Sequence, residues 1–324
     1  MKPKISIITP CYNAEKYIEQ TICSILDQHY ENLEYVIIDG GSTDNTVEII
    51  KKYQTHISYC VSEPDKGQSD AINKGIAKAT GDVFNWVNAD DWLEPGALEL
   101  VGKYFEDKNL NVLCTQTKFL KPDKSTYINS CTKFEGNVND LLNTRGLNQM
   151  GMFWRLDLIK KLNGVNTAFK YAMDLDLWKR YLLTFGNENI LADESIIGIF
   201  RLHPDSKTGE DMVVNSSFFD KENNAALCQY AQVVGENYLN GIRFLYPAID
   251  ENLATIKPVS NTPSETIKTW LNDLFLKKGT RYFYANDFKN AYGILKHIDS
   301  KYLSPEEKKN FNSFKRWSSL KRWI

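Results

Sequence analysis

The apolar run FNWV (84–87) ends abruptly in NADDW (88–92), which sets Asn88, Asp90 and Asp91 within four residues, just ahead of a Pro95-Gly96 turn. Neighbouring carboxylates at a strand end suit a hard divalent cation. Mg2+ or Mn2+ takes one or two carboxylates and completes its shell with phosphate oxygens. The blander alternative is that Asp90 and Asp91 only cap the turn. Three more polar segments follow strand-like runs: TPCYN (9–13), DGGSTDNT (39–46) and SEPDKGQSD (62–70). Gly40, Gly41 and Gly67 in these loops permit close backbone approach. A single acidic loop means little, but several meeting at one sheet edge describe a ligand site. No G-x-G-x-x-G joins the first strand to its helix and no Walker loop is present, which sets dinucleotide-fold and P-loop chemistry aside.

Positioning such loops requires a sheet. Strand-like runs at 4–9, 34–39, 56–62 and 82–88 alternate with helical spacing at 14–28, 44–53 and 69–79, with Asn13 standing as an N-cap for the first helix. This alternation predicts an α/β fold with a mostly parallel sheet covered by helices on both faces. Beyond residue 98 the pattern predicts a helix at 97–105, a strand at 111–118, a hairpin or extended loop at 118–130, helices at 155–164 and 175–186, and a strand at 195–203. From about residue 210 the spacing is helical, broken by a linker at 256–265.

The chain has 324 residues and a formal net charge of −2, which argues against a general nucleic-acid partner. No apolar run is long enough to span a bilayer, and the N-terminus lacks a signal-peptide core, so the expectation is a cytoplasmic protein. Six scattered cysteines without a C-x-x-C pair suit reduced thiols rather than a disulfide or zinc framework. Near the end of the sequence, Phe311, Phe314, Trp317, Leu320 and Ile324 recur at helical spacing among Lys315, Arg316, Lys321 and Arg322. A helix of this kind either lies on an anionic membrane or docks on its own domain.

The segments ISIITPCYNAEKYIEQTICSILDQ, EYVIIDGGSTDNT, PDKGQSDAINKGIAKATGDVFNWVNADDWLEPGAL and AMDLDLW together resemble the inverting glycosyltransferases of family 2, over about residues 4–205. The resemblance implies a GT-A fold over 1–208, with a nucleotide-sugar half to about residue 100 and an acceptor half beyond it, followed by a helical region at 209–324. It implies transfer from a nucleotide sugar, UDP-linked, to a saccharide or lipid-linked saccharide hydroxyl in bacterial surface-polysaccharide assembly, at the inner face of the membrane. Thr9, Pro10 and Tyr12 would line the nucleotide pocket, Asp39 would bond the uracil or ribose, and Gly40, Gly41 and Ser42 would admit its backbone contacts. Asp65, Lys66 and Asp70 would face the donor, with Asn73 and Gly75 shaping that wall. Ile72 stands where many relatives carry Arg, which leaves Lys66 or Arg201 to meet the diphosphate.

The family's Asp-x-Asp metal motif reads Asn88-Ala89-Asp90 here, so the first ligand position keeps an acceptor oxygen but not its charge. The resemblance places Mn2+ or Mg2+ on Asp90, with Asp91 and His203 in support. Met173-Asp174 aligns with the Glu-Asp pair that holds the catalytic base. Asp174 is therefore the expected base, and Asp176 caps or supports its helix. Gln149 and Trp154 fall on the acceptor side, Trp154 as a sugar-stacking face. Two other readings compete: a non-catalytic nucleotide-sugar or glycan-binding protein, and a nucleotidyltransferase. Intact Asp90 and Asp174 oppose the first. The absence of a Gly-rich basic loop in ITPCYNAEKY opposes the second.

Overall fold

The β-branched run ISIITPC forms strand β1 (Ile5–Cys11), buried at every position. Alternate residues of a strand face opposite sides of its sheet. Ile5 and Ile7 pack with Ile18, Ile22 and Ile25 of helix α1 (Ile18–Leu26) and Leu98 and Val101 of α4 (Ala97–Tyr104). On the other face, Ile8 meets α3 (Gln68–Lys78) so closely that a Cβ on Gly75 would lie 2.5 Å from its Cγ2. Helices therefore cover both faces of β1, and the sheet is built outward from it.

The computed structural model describes residues 2–129, 138–143, 149–204, 206–207, 218–247 and 263–321. Cys131, most of the linker expected at 256–265, and the tail residues Arg322 and Ile324 lie outside these. The remaining strands are β2 (Leu33–Asp39), β3 (Tyr59–Ser62), β4 (Val83–Trp86), β5 (Trp92–Leu93), β6 (Val112–Leu120), β7 (Thr126–Asn129), β8 (Met152–Arg155) and β9 (Ile190–Arg201). They form one sheet in the order β3-β2-β1-β4-β8-β6-β9-β5, with β7 paired to β6. The first four run parallel, as do β6 and β9. β8 runs antiparallel to β4 and β6, β5 to β9, and β7 to β6, so the sheet is mixed. The strands β5 and β8 were not legible in the sequence, because two to four residues carry no usable period.

Helix α2 spans Thr46–Lys51, and α6 (Leu156–Lys161) and α7 (Met173–Phe185) follow β8. Asn13 does not cap α1. It adopts φ +48°, its amide donates to Ser42 Oγ at 2.8 Å, and its Oδ1 accepts from the Thr43 amide at 2.9 Å. Its side chain is spent on the loop before α2, and α1 starts later, at Ile18.

The chain divides into two compact units: Met1–Glu135 with Arg145–Leu177 and Asn187–Ser216, and Gly136–Thr144 with Trp178–Gly186 and Ser217–Ile324. The second unit is helical, with α5 (Val138–Leu142), α8 (Phe218–Val234), α9 (Glu236–Leu245), α10 (Ser264–Tyr284), α11 (Phe288–Leu295) and α12 (Pro305–Lys321). Its core holds the fully buried Trp270 and Phe275. Buried Asn272 donates to Tyr238 Oη at 2.8 Å and accepts from the Asp299 amide at 2.7 Å. Lys277 joins Asp140 of α5 to Asp273 of α10 at 2.6 and 2.9 Å.

Candidate active site

The carboxyl ends of β1, β2, β3 and β4 carry the four polar loops to one edge, as strand direction requires. Asp39 closes β2 fully buried. Its Oδ2 accepts from the amides of Gly41 (3.1 Å) and Ser42 (2.9 Å) and from Ser62 Oγ (2.6 Å), and its Oδ1 accepts from Ser42 Oγ (2.5 Å). A carboxylate offers about four acceptor positions. Asp39 thereby organises the turn through Gly41 and Ser42 and ties it to the end of β3 through Ser62. Gly41 completes that turn at φ +83°. Gly40 leaves room for Asp65, whose Oδ2 would lie 2.7 Å from an added Cβ.

Thr9 and Pro10 are buried within β1, and Thr9 shares a hydrogen bond with Tyr35 Oη at 3.1 Å. Tyr12, 62% exposed, is the side chain this loop offers. In the next loop, Asp65 accepts from the Gly67 amide (2.7 Å) and Asp70 from the Lys66 amide (3.1 Å), while Lys66 is exposed. Asn73 is engaged with the turn after α6. Its amide bonds both ways with the Val165 backbone, at 2.8 and 2.9 Å, and fastens the turn after α6.

The two aspartates after β4 point in opposite senses. Asp90 is partly open, with its side chain 27% exposed, and its Oδ2 lies 2.9 Å from His203 Nε2. Asp91 is 1% exposed, its Oδ1 accepting from the Arg201 amide and its Oδ2 from Asn88 Nδ2, each at 3.0 Å. Burial pushes its carboxyl well above the usual range, and the neighbouring Asp90 adds to the shift. Asp91, expected beside a metal, is instead an inward brace. Ala89 is buried, and its carbonyl and that of Asp91 both accept from Thr21 Oγ1, at 2.9 and 2.7 Å. Arg201 packs beside the same loop. Its guanidinium lies over the Tyr17 and Trp92 rings at 4.7 and 4.6 Å, and its Nε donates to the Asp90 carbonyl at 3.0 Å.

Among the described residues no group of three His, Cys, Asp or Glu side chains is arranged around a common cation position. The pair Asp90 and His203 nevertheless fits a cation that draws its other ligands from phosphate oxygens. One oxygen and one imidazole nitrogen already converge, and the buried His203 Nδ1 has no hydrogen-bond partner among the described residues. The Tyr17 ring, 4.9 Å from that of His203, fixes the imidazole plane.

Asp174 stands in the first turn of α7, half-buried, with its Oδ1 accepting from the Leu175 amide at 2.8 Å. Asp176 is 3% exposed. The segment leading into α7 is tied to α3, where Ser69 Oγ donates to the Phe169 carbonyl at 2.9 Å. Gln149 is pinned to β4, its Nε2 donating to Asn85 Oδ1 and the Trp86 carbonyl, both at 2.9 Å. Trp154 lies within β8 at 2% exposure, so it is core and offers no stacking face.

Two residues missed in the sequence stand near Asn88, Gln68 directly against it and Lys207 behind Gln68. Gln68 Nε2 donates to Asn88 Oδ1 at 2.6 Å, and Lys207 Nζ donates to Gln68 Oε1 at 2.6 Å and to the Lys170 carbonyl at 2.7 Å. A lysine after a strand-end loop was the only available signal for Lys207, and nothing local marked Gln68.

The family model described as glycosyl transferase family 2 matches residues 6–175. Over 341 aligned residues the chain is 27% identical to a hyaluronan synthase of Pasteurella multocida, covering 96% of this chain and 33% of that protein. It is 32% identical over 183 residues to a chondroitin synthase of P. multocida strain Pm70, covering 54% of this chain and 18% of that one. The chain thus spans a third or less of these relatives. The structure of S. aureus TarS 1–349 in complex with UDP-GlcNAc shares the fold, at a TM-score of 0.59 and 14% identity over 98% of this chain and 89% of that one. The sheet, its strand-end loops and the family match lead to one assignment: the chain belongs to glycosyl transferase family 2 and has the GT-A fold.

Proposed function

We propose that this chain transfers a sugar, with inversion, from a UDP-linked donor to a saccharide or lipid-linked saccharide hydroxyl during assembly of a surface polysaccharide. The observation that carries the reading is the partly open Asp90 facing His203 at the exit of β4. Relatives that are synthases of hyaluronan and chondroitin support a polysaccharide product. In this reading residues 1–208 carry the donor and the reaction, and 209–324 serve the acceptor or a cytoplasmic membrane face.

Asp174 acts as general base. Its carboxylate takes the acceptor hydroxyl's proton as that oxygen bonds to the anomeric carbon, on the face opposite the nucleotide. The bond from the anomeric carbon to the diphosphate oxygen breaks, and UDP leaves with the electron pair. Asp90 and His203 would hold Mn2+ or Mg2+, whose charge stabilises the departing diphosphate. Gln149 stands on the acceptor side, held by β4.

The test is a nucleotide-sugar panel followed by thermal shift and turnover with Mn2+ present. A UDP-sugar should stabilise the protein and be consumed. Asp174→Asn should lower turnover about 10³-fold, within the range for loss of a general base, while UDP binding survives. Unchanged turnover removes Asp174 as base.

A further inference from the structure

We propose that Arg201 is the positioning residue of the Asp90–His203 pair, presetting both partners for the cation through the Asp90 backbone and the Tyr17 ring. The inference rests on the metal-assisted glycosyltransferase reading above.

Arg201 closes β9, two residues before His203. Its amide donates to Asp91 Oδ1 at 3.0 Å, its Nε to the Asp90 carbonyl at 3.0 Å, and its Nη2 to Gln20 Oε1 of α1 at 2.5 Å. The carbonyls that flank that of Asp90, those of Ala89 and Asp91, are both held by Thr21 Oγ1. Three successive carbonyls are thus fixed by side chains. The middle one belongs to the residue whose carboxylate stays partly open beside His203. At the same time the Arg201 amide draws the Asp91 carboxylate inward. One arginine so sets the opposite senses of two adjacent aspartates.

The same side chain reaches the imidazole. Its guanidinium lies over the Trp92 ring at 4.6 Å and the Tyr17 ring at 4.7 Å, and the Tyr17 ring lies 4.9 Å from that of His203. A planar guanidinium can stack on aromatic faces while its N–H groups donate in the plane, which a lysine ammonium cannot reproduce. The imidazole is therefore held by two contacts, Asp90 Oδ2 at 2.9 Å and the Tyr17 ring, and Arg201 stands behind both. A pair of one carboxylate and one imidazole offers a cation few protein ligands, so its affinity depends on their being preset. Outer groups that orient ligands commonly control about 10–100-fold of metal affinity.

The test reads Mn2+ binding in the presence of UDP by electron paramagnetic resonance. It also reads the His203 ring signals of the metal-free protein by NMR, assigned with His203→Gln. Arg201→Met should weaken Mn2+ binding about tenfold and leave uridine affinity unchanged. Its His203 signals should move toward their positions in Tyr17→Leu, where the ring current is gone. Arg201→Lys should behave like Arg201→Met, because it restores the charge but not the stack. Tyr17→Leu should weaken Mn2+ binding by a smaller factor and Tyr17→Phe should not. The double variant Arg201→Met/Tyr17→Leu should lose no more than Arg201→Met alone, since the two act as one unit. Wild-type Mn2+ affinity in Arg201→Met overturns the assignment, as do additive losses, recovery in Arg201→Lys, or a parallel loss of uridine binding. UDP binding in EDTA that weakens in Arg201→Met while uridine binding holds would make Arg201 a diphosphate contact and also overturn it. Wild type that neither takes up Mn2+ with UDP present nor consumes a UDP-sugar refutes the parent reading. The His203 signals of the metal-free protein then still decide whether Arg201 sets the imidazole.

Discussion

Asn88 shows how one atom changes a site. Its Nδ2 donates to Asp91 Oδ2 at 3.0 Å, and Asp90 is next in sequence but one. An aspartate at this position would oppose the Asp91 carboxylate directly while keeping the oxygen that accepts from Gln68. Asn88→Asp should therefore cost about 1–2 kcal/mol without metal, from a lost hydrogen bond and like-charge repulsion. That corresponds to a fall of roughly 2–4 °C in melting temperature per kcal/mol. Mn2+ should raise the melting temperature of the variant more than that of wild type, because a carboxylate pair is restored. A thermal-shift titration checks both signs, and a metal response no larger than that of wild type removes position 88 from the cation's neighbourhood. The sequence named Asn88 and Asp90, but it could not say that Asp91 turns inward. Adjacent residues in a loop are free to point either way, and the Arg201 amide, 110 residues distant, decides it.

At the scale of elements, one carboxylate gathers the amino ends of the central strands. Glu34 opens β2 at 7% exposure and accepts from Lys4 Nζ (2.7 Å), Ser6 Oγ (2.6 Å) and the Thr80 amide and hydroxyl (2.7 and 2.6 Å). One carboxylate so joins β1, β2 and the approach to β4. Burial alone would raise its pKa, but the hydrogen bonds from Lys4, Ser6 and Thr80 outweigh burial and hold it at about 2, against an ordinary 4.5. A depressed native pKa gives stability that is complete above the unfolded value and is lost as pH falls through the native one. The contribution, about 2 kcal/mol, should disappear between pH about 4.5 and about 2. Denaturant melts across that window should show the wild type losing stability faster than Glu34→Gln as pH falls. Parallel slopes would remove Glu34 as the cause. The β1–β4 run was legible because hydrophobic period and loop punctuation agree there. β8 was not, and its concealment is why Trp154 looked available to a sugar.

At the scale of the molecule, the family match ends at residue 175, and the helical unit lies largely beyond it. The last described helix has two faces. Phe311 is 3% exposed, and the Phe314 ring lies 4.9 Å from that of Phe283, so this side docks on its own helices. Trp317 and Leu320 are 49% and 63% exposed, and the Lys321 ammonium lies over the Trp317 ring at 5.4 Å. From Lys301 onward seven Lys or Arg residues stand against two Glu, which favours an anionic surface. No helix among the described residues is long and apolar enough to cross a membrane. Replacing both Trp317 and Leu320 by Ser should reduce binding to phosphatidylglycerol vesicles several-fold with an unchanged melting temperature. Unchanged binding would leave the helix a docked element only.

The sequence by itself determined the alternation of strands and helices, the edge at which the polar loops meet, and the order of motifs that marks the family. Each of these is written in short-range pattern, within the span of one strand, one helix or one turn. The tertiary structure decided which side chain meets which. His203 reaches Asp90 across 113 residues, and Lys207 reaches Gln68 across 139. Such partners are chosen by the crossing of β9 beside β6 and the return of the following segment to the end of β4. No local period records that geometry, and it alone determines that Asp90 faces outward, Asp91 inward, and Asn88 toward Gln68.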